Sequence, residues 1–86
     1  NNLIAGISTE YYESGKVKSE TNYKFGRKHG KYTEYHENER VKVEGEHAGN
    51  KKVGDWKEYD KKGKLLKTKV YQNDKLTQET NEYENQ

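Results

Sequence analysis

Three histidines, His29, His36 and His47, and a long roster of glutamates hold most of the reactive chemistry in this 86-residue chain. Imidazole titrates near neutrality and ligates metals, yet the three histidines fall at none of the spacings that zinc sites use. His36 and His47 stand 24 residues after Tyr12 and Tyr23, so they read as aromatic substitutes within a repeating pattern. The glutamates alternate with lysine, and each candidate acid is expected to face a lysine across a strand. General acid–base work needs a carboxylate in a pocket that moves its pKa, and a flat solvated sheet offers none. No serine has a plausible His–Asp relay at strand spacing. No glycine-rich phosphate loop opens a helix. The absence of cysteine removes disulfides, thiolate chemistry and Cys-ligated zinc. The residues therefore point to no enzyme, with no catalytic, cofactor-binding or metal-ligating position.

The remaining signal is aromatic and periodic. Eight of the residues are tyrosine and one is tryptophan. The apolar fraction is 27% against 37% charged, where an ordinary globular domain carries about 45–50% apolar residues. Such a balance leans towards disorder, but aromatic content of 12% and a net charge of only +2 lean away from it. Aligning Gly6, Gly30 and Gly54 brings Tyr11, Tyr35, Tyr59 and Tyr83 into register at a spacing of 24. Val17, Val41 and Leu65 align as well, as do Glu20 and Glu44. Self-similarity at this period marks a repeat architecture.

Each repeat must be built of strands, because the residues between turn signals alternate with a period near two, as in residues 16–23 and 40–47. The fold class expected is all-β: an antiparallel meander of repeated hairpins in a single curved sheet. The units are 6–29, 30–53 and 54–77, followed by a partial fourth over 78–86. Residues 13–15 and 61–63 read as three-residue hairpin loops closed by a left-handed glycine. Glu39 takes the glycine's place in the second unit, where either it accepts that conformation or the loop differs. This loop length sets Tyr11 opposite Val17, Tyr35 opposite Val41 and Tyr59 opposite Leu65; it also sets Glu10 against Lys18 and Glu34 against Lys42. The second turns, at residues 24–26, 48–50 and 72–74, read as three-residue loops too. One face is then expected to carry Tyr11, Val17, Tyr23, Tyr35, Val41, Val43, His47, Val53, Tyr59, Leu65 and Tyr71. Tyr32 and Trp56 fall on the other.

The segments Gly30-Lys-Tyr-Thr-Glu-Tyr and Gly54-Asp-Trp-Lys-Glu-Tyr, the latter followed by Gly63-Lys-Leu, resemble the bacterial variant of the MORN repeat. The resemblance covers nearly the whole chain. Ser8 replaces the aromatic expected in the first unit, Glu39 replaces a glycine, and residues 68–70 drift from Glu-Gly. The resemblance implies a scaffold or interaction module; some bacterial proteins with such repeats are antitoxins, and eukaryotic relatives are associated with lipids and protein partners.

Protein recognition fits these residues best, with self-association or a toxin among the partners. Tyrosine and tryptophan dominate interface energetics, which makes Trp56, Tyr32, Tyr35 and Tyr59 the candidate partner contacts. The alternative is attachment to nucleic acid or anionic lipid through the interleaved lysines and aromatics. Against it stand the glutamates among the lysines, since phosphate attraction needs a concentrated positive field. No apolar run approaches the ~20 residues that span a bilayer, and nothing in the composition assigns a compartment.

Overall fold

The computed structural model describes residues 5–82. Seven strands follow one another: β1 (Gly6–Tyr11), β2 (Val17–Lys24), β3 (Arg27–Tyr35), β4 (Val41–Ala48), β5 (Lys51–Tyr59), β6 (Leu65–Gln72) and β7 (Lys75–Asn81). They form one open antiparallel sheet in chain order, which is the all-β meander that the alternation demands. Tyr83 lies outside the described residues. The body measures 52 × 35 × 13 Å. Packed sheets stand about 10 Å apart, so a thickness of 13 Å leaves room for a single layer. Among the described residues, no element covers either face.

The turns alternate between two kinds. At the first kind, Tyr12, His36 and Asp60 each donate an amide to a carbonyl four residues on, while Gly15, Glu39 and Gly63 donate back to those same residues. This is the three-residue loop read from the sequence, and its left-handed position has φ of 94° at Gly15, 75° at Glu39 and 92° at Gly63. Glu39 thus holds a conformation that costs an L-residue roughly 1–2 kcal/mol. Glu39→Gly is expected to stabilise the protein by about 0.5–1 kcal/mol, net of glycine's extra chain entropy. The urea midpoint reads this directly, and an unchanged or lower midpoint would refute it.

The second kind of turn departs from the sequence reading. Lys24 pairs with Arg27, Ala48 with Lys51 and Gln72 with Lys75, leaving two-residue loops. Both central residues have positive φ in each: Phe25 and Gly26, Gly49 and Asn50, Asn73 and Asp74. That is the type I′ turn, whose twist matches that of the flanking strands.

A second correction concerns register. Tyr11, Tyr35 and Tyr59 do face Val17, Val41 and Leu65, but Glu10 pairs with Ser19 and Glu34 with Val43. A bulge leaves Lys18, Lys42 and Leu66 without a counterpart. One inserted residue exchanges the faces of everything beyond it. The expected aromatic face is therefore divided. Tyr35 and Tyr59 share one face with Val17, Val41, Glu20 and Glu44. Val43, His47 and Tyr71 lie on the other, beside Tyr32 and Trp56.

Successive hairpins are stitched at both rims. The Tyr12 hydroxyl donates to the Tyr35 carbonyl at 2.5 Å, and His36 Nε2 meets the Tyr59 carbonyl at 3.0 Å in the equivalent place. His36 therefore does the work of a tyrosine, as its position in the repeat predicted. At the type I′ rim, the Lys28 amide donates to Asn50 Oδ1 and the Lys52 amide to Asp74 Oδ1. In a single layer these contacts between neighbouring units replace a core.

Candidate functional site

Among the described residues, the ring–ring contacts of this thin sheet gather in the middle of the face holding Trp56. Trp56 is the only buried hydrophobic residue among those described, at 5% exposure. Its ring stacks on Tyr32 with centroids 5.5 Å apart and planes 28° from parallel. His47 meets it edge-on at 5.0 Å and Tyr71 at 6.1 Å. The indole N–H donates to the Glu46 carbonyl at 3.2 Å. Lys52 Nζ lies 5.0 Å from the Trp56 ring centroid and 5.0 Å from that of Tyr71, a cation shared between two π faces. Lys28, Lys69, Glu34 and Glu58 rim the shallow groove, and Lys69 pairs with Glu58 at 3.5 Å.

Gly45 makes this cluster possible. Tyr32 on β3 and Trp56 on β5 are separated by β4, a span of about 9.6 Å between backbones. Gly45 stands opposite Tyr32 in the intervening strand. A Cβ built there would fall inside the Trp56 indole. The missing side chain lets tryptophan lie across the backbone and reach tyrosine. A glycine inside a strand pattern signals close approach of another group. Gly45 carries that signal in the sequence, whereas Lys52 carries none, because its place over the two rings depends on contacts across strands.

The electrostatics follow from burial and neighbours. Burial pushes the Tyr32 hydroxyl up to about 12, with the Glu34 carboxylate adding to the effect. On the opposite face, the Tyr59 hydroxyl is raised to about 12, chiefly because it donates to Glu44 at 2.6 Å. Tyr35 is raised too, by burial and by its bond to Glu20 at 3.0 Å. Asp60 is held low by backbone N–H donors, Lys64 first, that it accepts within its own loop.

His47 is depressed below the ordinary histidine range by burial, then by Lys28 and Lys52, against a smaller opposing pull from Asp74. Its Nδ1 is buried without a hydrogen-bond partner. With the folded pKa lowered, the unfolded chain binds the proton first as pH falls. His47 therefore contributes full stability above about pH 6.5 and loses it progressively below. Unfolding midpoints taken between about pH 7.5 and 5.5 should fall on acidification, and His47→Tyr, the residue at the equivalent positions 23 and 71, should flatten that slope. A slope unchanged in the variant would refute the assignment.

Of the four candidate contacts, the structure brings Tyr32 and Trp56 into one cluster and places Tyr35 and Tyr59 on the reverse face, their hydroxyls committed to Glu20 and Glu44. Among the described residues no group of three or more His, Cys, Asp or Glu comes together as a metal site. The pattern of the MORN repeat variant matches the chain three times, at residues 5–25, 28–48 and 52–73.

The chain belongs to the MORN repeat variant family. Each match spans the two strands and three-residue loop of one hairpin, and the type I′ turns lie at or near the junctions. No curated protein and no solved structure matches the chain. MORN repeats are in general binding modules rather than enzymes, and they commonly engage proteins or membrane lipids.

Proposed function

We propose that this MORN array is a non-enzymatic protein-interaction module whose partner docks over the face that holds Tyr32 and Trp56. The observation that carries the reading is a preordered aromatic cluster on a one-layer sheet that nothing else in the described residues covers. Uncovered aromatic surface beside polar groups is the usual character of an interaction site. Within the cluster, Trp56 sets the surface from beneath while Tyr32, Tyr71 and Lys52 present it. Tyr35 and Tyr59 offer a second, weaker contact row on the reverse face. A toxin is the partner that an immunity or antitoxin role in bacteria would require; self-association is the alternative within the same class.

Capture of partners on the immobilised chain tests this. Charge reversal at Lys52 and Lys69 is expected to weaken capture at least tenfold, while the loss of the Lys52 cation–π contacts and of the Lys69–Glu58 pair lowers the unfolding midpoint without unfolding the chain at the assay temperature. Equal capture by the doubly reversed variant would remove this face from the function. An antitoxin role further requires that the captured protein be toxic when expressed alone and harmless when co-expressed with this chain.

A second reading has its own support. Lys24, Arg27, Lys28, Lys51, Lys52 and Lys75 gather at the rim of type I′ turns, and residues 24–28, 48–52 and 72–76 hold a single acid, Asp74. Phe25 projects from the same rim at 62% exposure. Attachment of this rim to an anionic lipid surface or to nucleic acid would fall steeply between about 50 and 200 mM salt. Binding to a protein face centred on aromatics would change little over that range.

A further inference from the structure

A lysine and two rings recur at a spacing of 24 on the Trp56 face: Lys28, Tyr32 and His47, then Lys52, Trp56 and Tyr71. The two ring pairs have the same geometry. Tyr32 and His47 meet edge-on at 5.6 Å and 76°, Trp56 and Tyr71 at 6.1 Å and 78°. The lysines differ. Lys52 is half-buried, its Nζ 5.0 Å from each of its two ring centroids. Lys28 is exposed and lies over no ring among the described residues. The rings that hold cations are those of Trp, Tyr and Phe, and His47 stands where Tyr71 supplies one. Among the described residues neither lysine has a carboxylate within ion-pair distance. A repeat that breaks its own pattern is where a functional position is expected.

His47 lies between the two lysines. It pairs with Lys52 across β4 and β5, and both cations act on its ring, which burial and that charge keep neutral. The side chain is 7% exposed, and Nδ1 is enclosed without a partner. An enclosed N–H goes without a partner more rarely than an enclosed acceptor does, which places the proton of the neutral ring on Nε2. Nε2 is not enclosed and makes no bond among the described residues. Two ammonium groups and one imidazole N–H therefore share the type I′ end of the groove without an acceptor. Three lysines and two glutamates line this groove, leaving one positive charge in excess, and Lys69 already holds Glu58 at 3.5 Å. Asp74 is tied to the rim by the Lys52 amide at 3.2 Å and does not line the groove.

We propose that this end of the groove receives one carboxylate, the aspartate or glutamate side chain of the protein that docks on the Trp56 face. Its oxygens accept from Lys28 Nζ and His47 Nε2, while Lys52, fixed on its two rings, supplies the second positive charge. The inference rests on the docking function proposed above and names the chemistry of its partner. One carboxylate matches the single charge in excess. The phosphates of a lipid surface or a nucleic acid would set further negative charge against Glu34 and Glu58.

The probe is N-acetyl-glutamate N-methylamide, titrated into the full chain and followed by the nitrogen shifts of the His47 ring. Its glutamine analogue and inorganic phosphate serve as comparisons. The free chain should carry the His47 proton on Nε2, and the glutamate probe should move that resonance with saturation in the millimolar range. The glutamine analogue should bind about tenfold more weakly, the loss of a charge-assisted hydrogen bond. Lys28→Gln should impose a similar loss, and Lys28→Arg should restore most of it. His47→Tyr, which gives Lys28 the ring that Tyr71 gives Lys52, should also weaken the probe. A proton on Nδ1, equal binding of the glutamate and glutamine probes, or undiminished binding to Lys28→Gln would each overturn the proposal. So would tighter binding of phosphate, which would favour attachment of the basic rim to lipid or nucleic acid. If the proposal falls while partner capture still responds to charge reversal at Lys52 and Lys69, the docking face stands and only its carboxylate is lost. If capture is indifferent to that reversal, the docking face goes with it.

Discussion

Trp56→Ala is expected to cost about 3–5 kcal/mol, the loss typical of deleting a buried aromatic ring. For a domain of 86 residues that is a large share of the total stability. The cost is concentrated here because the protein has no second layer: Tyr32, His47, Tyr71 and Lys52 all take their positions from this one indole. In a thermal melt followed by far-ultraviolet circular dichroism, the midpoint should drop by at least about 12 °C, at roughly 4–8 °C per kcal/mol. Trp56→Tyr, which restores the residue type of Tyr32 one repeat earlier, should recover most of the loss. A midpoint within a few degrees of the original for Trp56→Ala would mean that the cluster is an ornament on a sheet held by its backbone alone. For the same reason, partner binding is better tested at Lys52 and Lys69 than at Trp56, where lost affinity and lost fold would be inseparable.

Gly45→Ala is expected to destabilise by about 1–3 kcal/mol, the range for overpacking. The sign is the informative part. At a strand position that tolerates it, replacing glycine with alanine stabilises by about 0.4–1 kcal/mol through the unfolded chain. Here the added methyl would occupy the volume of the Trp56 ring, and the ring atoms it meets belong to a rigid bicycle held on three sides. The indole must lift from the sheet, which a red shift and loss of intensity in tryptophan emission would report. In a Trp56→Leu background the same substitution should become neutral or stabilising, since the clash depends on the ring. Additive effects in that pair would break the assignment, because contacting residues are expected to couple.

How far the sequence was legible differs from element to element, and the reasons are physical. The strand alternation, the 24-residue repeat and the three-residue loops are local properties, and short-range sterics and hydrogen bonding decide them. A left-handed Glu39 was one of two readings open in the sequence, since Gly15 and Gly63 hold the same place in their loops, and the structure shows that the loop is kept with φ of 75° at Glu39. His36 could be read as a stand-in for Tyr12, and both meet a carbonyl of the next hairpin. The type I′ turns are one residue shorter than the alternation suggests, though Gly49-Asn50 and Asn73-Asp74 are residue pairs that tolerate two successive positive φ angles. Phe25 obscured the pattern in the first unit, since a bulky side chain rarely adopts φ of 54°.

By itself, then, the sequence determined the repeat, the strands, the hairpin order and the family, because each is written in residues close together along the chain. The membership of each face was decided only in three dimensions. The bulges that leave Lys18, Lys42 and Leu66 unpaired reverse the side chains beyond them, and so move His47 and Tyr71 across to Trp56. The approach of Trp56 to Tyr32 also needed the tertiary structure: it crosses an intervening strand and depends on a side chain that Gly45 lacks. Alternation counts residues along one strand, whereas bulges and cross-strand gaps are set by the balance of pairing between strands, which no single segment encodes.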